Sequence, residues 1–458
     1  MANIYGTLHI GRQALAAQQE ALNVTAHNIA NVNTEGYSRQ RVVTETTAPI
    51  TTGAGQVGTG VTVSGVERVY DRHLAQQISD ENETFGRWEA EKNGLDRAEV
   101  VLNEASGYGL NQAMSDFWDA WQDLVNNPSG AAEREMVAWS GENLALNFER
   151  IHNDLSQIQN DMNSYVSQTV DGINFKAEQI AAINEKIVKI ETSEGSANDL
   201  RDKRDVWVNE LAKMIDITYH EEGNGSYTIK LGDDRSLVEG ATSNALATDT
   251  NGSGFEDVVW EDDNADVPIS DGKLKGYMEV RDAAIPGYKD DLEELSEEIK
   301  DAVNDIHQDG YGLDGTPGED FFTGSLAGND FAISSTISED VTKIAASGTE
   351  LGVPGDNQNA IEIAELQNAL KMNSDTATFD DFYNGVVSGV GVDVQQAYSS
   401  YSHQEAMVNY LDDYREAVSG VSLDEEMVNM LQFEAAYQAA ARTISSVDKM
   451  LETLMTIV

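Results

Sequence analysis

Cysteine is absent from this chain of 458 residues, and basic residues are scarce. Without cysteine, disulfide bonds, thiolate zinc sites and a cysteine nucleophile are excluded. The 29 Lys and Arg residues stand against 80 Asp and Glu residues, so the net charge is -51. Because nucleic acid and anionic lipid carry charge of the same sign, neither is expected as a partner. Self-repulsion of this size weakens as salt shortens the screening length, so the sequence allows either a saline habitat or simple solubility as the reason for the charge.

Long apolar runs are missing as well. No stretch approaches the roughly 18 consecutive apolar residues that a membrane-spanning helix needs. The first residues lack the basic flank and the apolar core of a cleaved secretion signal. Taken alone, these features predict neither a membrane span nor general secretion, and they would place the protein in the cytoplasm.

Patterns of catalytic and metal-binding residues are absent from the sequence. The histidines form no H-x3-H or HExxH pair, so no zinc site is predicted. No GxSxG elbow and no phosphate-binding loop is found. We therefore predict a protein that is not an enzyme and that holds no cofactor and no metal.

Three segments resemble functional motifs only in part. Gly53–Gly58 fits GxGxxG, but a dinucleotide site needs a helix after the glycines, and Thr59–Val69 has the pattern of a strand. Asp309–Asp320 has carboxylates among glycines yet lacks the spacing and final glutamate of a calcium loop, so a polar turn is favoured and calcium is the minor alternative. Asp199–Asp205 interleaves charges at helical spacing, which predicts a solvent-facing stripe, with contacts between subunits as the alternative.

Both ends of the chain carry heptad stripes of apolar residues. The N-terminal stripe is Leu8, Leu15, Leu22 and Ile29. The C-terminal stripe is Met430, Phe433, Tyr437, Ala440, Ile444, Val447, Leu451, Leu454 and Val458. Such spacing predicts an amphipathic helix that needs a partner helix. Because ordering a terminal helix costs more than burial of one stripe contributes, we predict termini that are loose in the free monomer and ordered by neighbouring subunits. An ordinary pair of terminal helices within one chain is the alternative.

Between the ends, helical patterns alternate with short β patterns. Leu144 to Ile190 keeps the heptad rhythm with a shift near Gly172, which predicts a rod-like helix of more than about forty residues. Asn224-Gly225 and Asn251-Gly252 predict hairpin turns in a small β domain. The fold class is therefore mainly α with inserted β: an elongated coiled-coil stalk built from the N- and C-terminal parts of the chain.

The predicted domain organisation follows these patterns. It comprises an N-terminal assembly helix at 1–40 that pairs with 420–458, a helical stalk with short β segments at 41–216, a small β domain at 217–269, the return helix of the stalk at 270–309, a small β-rich excursion at 310–356, further helical stalk at 357–419 and a C-terminal assembly helix at 420–458.

Several segments resemble the flagellar rod, hook and hook-associated axial proteins. Residues 21–40 resemble the N-terminal signature of that family, and GYSRQ at 36–40 is similar to its hook-associated members in particular. Residues 65–74, 199–205 and 272–287 are similar to the same members, and 420–442 resembles the C-terminal signature. The resemblance does not extend to the β insert or to 310–346.

The resemblance implies a structural adaptor that connects the flagellar hook to the filament and is required for filament assembly. It implies partners: the hook protein, a second hook-associated junction protein, further copies in a ring, and a cytoplasmic export chaperone on the C-terminal helix. It also implies export through the flagellar type III apparatus, which needs no cleaved signal, so the expected location changes from the cytoplasm to the extracellular flagellum. Another axial subunit, of the hook, rod or filament type, is the alternative.

The predicted assembly interface combines the two stripes with the turn after the first helix. Its residues are Leu8, Leu15, Leu22, Ile29, Asn28, Asn31, Gly36, Tyr37, Met430, Phe433, Tyr437, Ile444, Val447, Leu451 and Leu454.

Overall fold

Helices dominate the computed structural model, which describes residues 2–52, 55–102, 109–193 and 195–457. The helices are α1 (Ala2–Ala30), α2 (Arg72–Leu102), α3 (Leu110–Asn126), α4 (Ala131–Glu191), α5 (Asn198–Ala212), α6 (Gly272–Glu279), α7 (Ile285–Asp309), α8 (Ser335–Glu339), α9 (Gln358–Glu365), α10 (Phe379–Ser419) and α11 (Leu423–Ile457). A π-helical turn, Val280–Ala284, joins α6 to α7, and short 3-10 turns occur at Val341–Lys343, Glu350–Gly352 and Leu366–Asn368. The prediction of a mainly α fold with inserted β is confirmed.

The strands are short and antiparallel. They are β1 (Gln40–Thr46), β2 (Ile50–Thr52), β3 (Gly55–Val57), β4 (Val61–Arg68), β5 (Thr218–Glu221), β6 (Tyr227–Lys230), β7 (Ser236–Glu239), β8 (Thr242–Ser243), β9 (Leu246–Thr250), β10 (Glu256–Trp260), β11 (Phe322–Thr323) and β12 (Ala332–Ile333). β1 pairs with β4, β2 with β3, and β5 to β8 form a four-stranded sheet in chain order. The segment after the GxGxxG motif is indeed the strand β4, while Gly53 lies outside the described residues.

The stalk is an antiparallel pair of long helices, α2 and α10. The Phe85 and Tyr401 rings lie 5.4 Å apart, and Gln404 Nε2 donates to the carbonyl oxygen of Glu81 at 2.9 Å. Near one end Leu74, Ile78 and Leu411 form a small buried cluster. Since low residue numbers on α2 meet high numbers on α10, the chain runs out along α2 and returns along α10.

The distal bundle comprises α3, α4, α7, α9 and the segment 310–356. Its core is aromatic, with the Phe117 ring 4.9 Å from Trp118 and 5.7 Å from Phe321, and all three side chains are buried. α4 is 61 residues long and carries buried apolar residues along its whole length, as its heptad pattern predicts. This core is complete within one chain.

The β domain packs on the C-terminal half of α4. Asn184 Nδ2 donates to the carbonyl oxygens of Tyr227 and Gly240 at 2.9 and 2.8 Å. The predicted turns at Asn224-Gly225 and Asn251-Gly252 both connect paired strands, β5 to β6 and β9 to β10. The side chain of Arg281, in the π-helical turn, is fully buried and donates to the carbonyl oxygen of Glu256 at 2.6 Å, so it ties this domain to the connection between α6 and α7.

The segment 310–356 contains fewer strands than its sequence pattern predicts. Only the two-residue strands β11 and β12 occur there, together with α8 and short 3-10 turns. Its glycines serve close packing: a Cβ on Gly318 would lie 1.9 Å from the carbonyl oxygen of His307. In the Asp309–Asp320 turn, the Asp314 carboxylate pairs with Lys343 and accepts from Thr316, and Lys343 lowers the pKa of Asp314 to about 2.

Candidate assembly site at the paired terminal helices

α1 and α11 pack against each other along their length, and we call them the terminal pair. A Cβ on Gly11 would lie 3.0 Å from the Ile444 side chain, and Asn28 Nδ2 donates to Glu426 Oε2 at 3.0 Å. Because position 11 lies beside 444 and position 28 beside 426, the two helices are antiparallel. Each terminal helix therefore has a partner within the same chain.

Small residues on α1 make this contact. The buried positions of α1 are Gly11, Ala17, Ala21, Val24, Thr25 and Asn28. The predicted N-terminal stripe lies beside these positions, and its members are all half-buried: Leu8, Leu15, Leu22 and Ile29. A glycine and alanine face lets two helices approach closely, while the larger apolar side chains stay partly open to solvent.

The predicted C-terminal stripe lies on the side of α11 that faces α1. Ala440 and Val447 are buried, and five further members are half-buried: Met430, Phe433, Tyr437, Ile444 and Leu451. Val458 and the side chain of Leu454 lie outside the described part of the chain. The stripe is thus only partly covered by α1.

A second apolar line on α11 was not predicted from the sequence. Leu423, Met427 and Leu431 recur every four residues and are 46%, 54% and 66% exposed. Their spacing places them on one side of the helix, next to the C-terminal stripe. The signal was present in the sequence as an i, i+4, i+8 series, but the heptad stripe beside it obscured it.

Asn28 organises the junction between α1 and the rest of the chain. Its side chain is buried and makes four hydrogen bonds. Oδ1 accepts from the Gln40 backbone N–H at 2.9 Å and from the Tyr37 hydroxyl at 2.8 Å. Nδ2 donates to the Gln40 carbonyl at 2.9 Å and to Glu426. An asparagine side chain can make about four such bonds, so this one is fully satisfied.

The turn after α1 depends on the other predicted residues. Asn31 Nδ2 donates to the His27 carbonyl at 3.0 Å. Gly36 has φ +73°, and a Cβ there would lie 2.2 Å from the Val206 side chain, so only glycine fits. Burial, followed by the charge of Asp199, raises the pKa of Tyr37, which keeps its hydroxyl protonated and able to donate to Asn28.

Arg39 connects the turn after α1 to the start of α11. Its guanidinium lies 2.7 Å from Glu426 Oε1 and 3.3 Å from Glu425, and its backbone N–H donates to the Ser419 carbonyl at 2.8 Å. The Glu426 carboxylate is buried and is therefore held by both Arg39 and Asn28. A charge buried in this way is stable only when its partners stay in place.

The charged segment of α5 is part of the same network. Asp202 is buried, accepts from the Ser38 backbone N–H at 2.9 Å, and pairs with Arg68 at 2.9 Å. Burial raises the pKa of Asp202, although Ser38 and Arg68 oppose the shift. Arg204 is also buried. The prediction of a solvent-facing stripe over Asp199–Asp205 holds for Asp199 and Lys203, which are exposed, and is wrong for Asp202 and Arg204, which are buried. Asp202 binds segments that follow α1, whereas Arg204 donates to the carbonyl oxygen of Gly225 at 2.7 Å.

A cleft of about 640 Å³ lies between the turn after α1 and the break between α10 and α11. Its walls are residues 31–39 and 415–422. Residues 31–39 lie in the segment that resembles the N-terminal signature, and residues 420–422 begin the segment that resembles the C-terminal signature. The cleft is open to solvent and lies beside the terminal pair.

Among the described residues, every helix is too short or too polar to cross a lipid bilayer. Across the same ranges, histidine, aspartate and glutamate side chains form no group of three that could hold a metal ion.

Three parts of the chain match known protein families. Residues 95–322 match the flagellar hook-associated protein FlgK helical domain. Residues 8–37 match the flagella basal body rod protein family, and residues 416–457 match the flagellar basal body rod FlgEFG protein C-terminal family. The two rod-type matches coincide with the terminal helices, and the FlgK-type match begins within α2 and ends at β11.

Relatives that align over the whole chain agree with these matches. Flagellar hook-associated protein 1 of Bacillus subtilis is 32% identical over 503 aligned residues, which cover 99% of this chain and 98% of that protein. The protein of the same name from Escherichia coli is 25% identical and covers 97% of this chain and 98% of its own length. The solved structure of the flagellar hook junction protein FlgK from Burkholderia pseudomallei is similar in fold, with a TM-score of 0.67 at 15% identity, covering 75% of this chain and all of that one.

Proposed function

This chain belongs to the family of flagellar hook-associated protein 1 and is a structural protein of the bacterial flagellum, and we propose that it joins the hook to the filament through its terminal pair. The family is structural, and we extend this to the chain itself, which acts without catalysis and without a cofactor. The hook and other axial proteins are its partners.

The exposed apolar residues of the terminal pair carry this proposal. Leu423, Met427 and Leu431 of α11 face solvent, and a contiguous group of exposed apolar side chains marks an interaction site. α1 is poor in charge, since Arg12 and Glu20 are its only Arg, Lys, Asp or Glu residues. A charge-poor surface with half-covered apolar residues suits packing against neighbouring helices.

The assembled state follows from this surface. Copies of the chain form a ring whose terminal pairs line the inner wall of the axis, with the hook on one side and a second hook-associated protein on the other. The predicted interface residues, from Leu8 to Leu454, are assigned to these contacts. In the free monomer the terminal pair is expected to open readily, because its contact face consists mainly of small side chains.

Export requires a further partner. An exposed apolar line on α11 would aggregate in the cytoplasm, so a chaperone that covers this helix before export is part of the proposal. The chain then leaves through the flagellar type III apparatus and acts outside the cell. Its lack of cysteine supports passage as an unfolded thread, because no disulfide can form on the way.

Deletion of the gene in its own bacterium tests the function. Electron microscopy is expected to show hooks without filaments, and immunoblotting is expected to detect monomeric flagellin in the medium. A full-length copy should restore the filaments, whereas a copy lacking residues 430–458 should not, because it lacks the helix that covers α1.

Other outcomes separate the alternatives. Loss of the hook itself would identify a rod or hook subunit, and purified protein that forms long polymers in sedimentation would identify a filament-type subunit. Normal filaments after deletion would overturn the proposal.

A further inference from the structure

One side of α10 faces solvent along almost its whole length. The opposite side is buried at intervals of seven residues, at Tyr383, Val390, Ala397, Gln404 and Leu411. The solvent side shows exposed positions at alternating steps of four and three. They are Gly385, Gly389, Val392, Gln396, Ser399, His403, Ala406 and Tyr410. We call this set the α10 face.

Charge is nearly absent from this part of the helix. Residues 384–410 include only two ionisable carboxylates, Asp393 and Glu405, and no Lys or Arg. Both carboxylates accept hydrogen bonds, Asp393 from the Tyr288 hydroxyl at 2.7 Å and Glu405 from the Tyr401 hydroxyl at 3.0 Å. The neighbouring helix α7 carries nine acidic and two basic residues in 25 positions. An uncharged face therefore lies beside a strongly acidic one.

Large solvent-exposed side chains lie on and beside the α10 face. Val392 is 62% exposed and Tyr410 is 65% exposed. Tyr398 and Tyr414 flank the face and are also exposed. Depletion of charge and enrichment of tyrosine are the compositional marks of the centre of a protein interface.

The glycines of the face have no role in the packing of the chain itself. Among the described residues, no atom lies within 4 Å of a Cβ built on Gly385 or Gly389. Glycine weakens a helix interior relative to alanine, so the fold alone gives no reason for it at these positions. Close approach of another molecule would explain both glycines.

The charge of the chain decides what kind of molecule this is. A basic partner would be attracted to the acidic surface, such as that of α7, and would gain nothing from a face without charge. A partner that is itself strongly acidic would be repelled everywhere except at such a face. A second copy of this chain, with its net charge of -51, fits that description.

We propose that the α10 face is a lateral contact between copies of this chain, separate from the terminal pair. The proposal deepens the ring assembly given above and depends on it. Exposed apolar or aromatic side chains also occur beyond Tyr410, at Tyr414 and Val418 of α10 and at Leu423 and Met427 of α11. In a ring the contact is head-to-tail, and the α10 face of one copy meets a different surface of the next.

The absence of cysteine allows a direct test. Ser399→Cys and, separately, Gln396→Cys place a single thiol on the α10 face, and Glu298→Cys places one on the exposed acidic side of α7 as the matched control. Each variant is produced in the bacterium, and hooks with their attached junctions are isolated. Reaction with a polyethylene glycol maleimide should be about tenfold slower for the α10-face thiols in junctions than in the free chain, because a covered thiol reacts only when the contact opens. The α7 thiol should react equally fast in both.

A photocrosslinking experiment identifies the molecule that covers the α10 face. The same thiols are labelled with a benzophenone maleimide in the free chain, assembled and irradiated. A product with twice the chain mass from the α10-face variants, and none from Glu298→Cys, supports the proposal. Equal reactivity of the α10-face thiols in both states, or a crosslink to a different protein, overturns it. If immunogold labelling finds no chain at the hook tips, the proposed function itself is contradicted. If the chain is at the tips but its α10-face thiols are unprotected, only the proposed lateral contact is contradicted.

Discussion

The distal bundle and the terminal pair both consist of helices with heptad patterns, but they bury different side chains. In the distal bundle, Phe117, Trp118 and Phe321 are fully enclosed. In the terminal pair, the contact is made by small residues such as Gly11 and Ala440, and the larger apolar residues stay half-open. The same sequence pattern thus produces a region whose apolar side chains are enclosed within one chain and a region whose larger apolar side chains stay partly uncovered.

The largest expected effect follows from truncating the distal core. Phe321→Ala removes a ring that packs against Phe117, Trp121 and His307, and such changes cost about 3 to 5 kcal/mol. Urea unfolding followed by tryptophan fluorescence measures this loss. Leu22→Ala in the terminal pair is the matched comparison, and its effect on this transition should be small. Equal losses of unfolding free energy in both variants would show that the two regions unfold as one unit. The proposed difference between the distal bundle and the terminal pair would then be contradicted.

Acidification should also weaken the distal bundle selectively. His307 is fully buried, and its Nε2 accepts from the Ala345 backbone N–H at 2.9 Å, so burial lowers the pKa of His307 from 6.5 to about 4. Between these values the unfolded chain binds the proton more readily than the folded chain. Stability from this group is therefore complete above pH 6.5 and is lost as the pH falls towards 4, by up to about 3 kcal/mol.

The measurement compares urea midpoints at several values between pH 7.5 and pH 4.5. His307→Gln should reduce the slope of stability against pH, because the glutamine side chain binds no proton in this range. An unaltered slope in His307→Gln would assign the acid sensitivity to other groups.

The heptad patterns predicted the helices of both regions better than they predicted the hydrogen-bond network, around Asn28 and Asp202, that joins distant segments of the chain. The long helix α4 and the hairpin turns depend on local spacing, and local spacing is visible in a sequence. The contact of Asn28 with Glu426 spans 398 positions, and no local pattern signals it. The same holds for Asp202, whose neighbours on α5 suggested a solvated helix, because its partners Ser38 and Arg68 come from distant segments. In 310–356, glycines that permit close packing around His307 gave a false strand signal.

The hydrogen-bond network around Asn28 should be sensitive to a single substitution. Asn28→Ala leaves the Gln40 backbone N–H without its partner and removes a donor from Glu426, and an unmade buried hydrogen bond costs about 1 to 3 kcal/mol. Hydrogen exchange should show faster opening of α1 and α11 with no change in α3 or α4. Asn33→Ala, at an exposed position of the same turn, is the control. Faster exchange in the distal bundle of Asn28→Ala would mean that the network supports the whole molecule.

The smallest effect on stability should accompany a large loss of assembly. Replacing Leu423, Met427 and Leu431 together by Ser removes the exposed apolar line of α11. Each surface substitution of this kind changes the free energy of unfolding by within about 0.5 kcal/mol, because all three side chains are exposed in the single chain. In the bacterium, however, the variant should reach the hook poorly, and filament counts by electron microscopy should fall towards those of the deletion strain. Asp424→Ser and Gln432→Ser, made together at exposed positions of the same helix that are not apolar, should keep filaments. If the triple variant were equally stable and still made normal filaments, α11 would be complete without neighbours, and the distinction between the two regions would not hold.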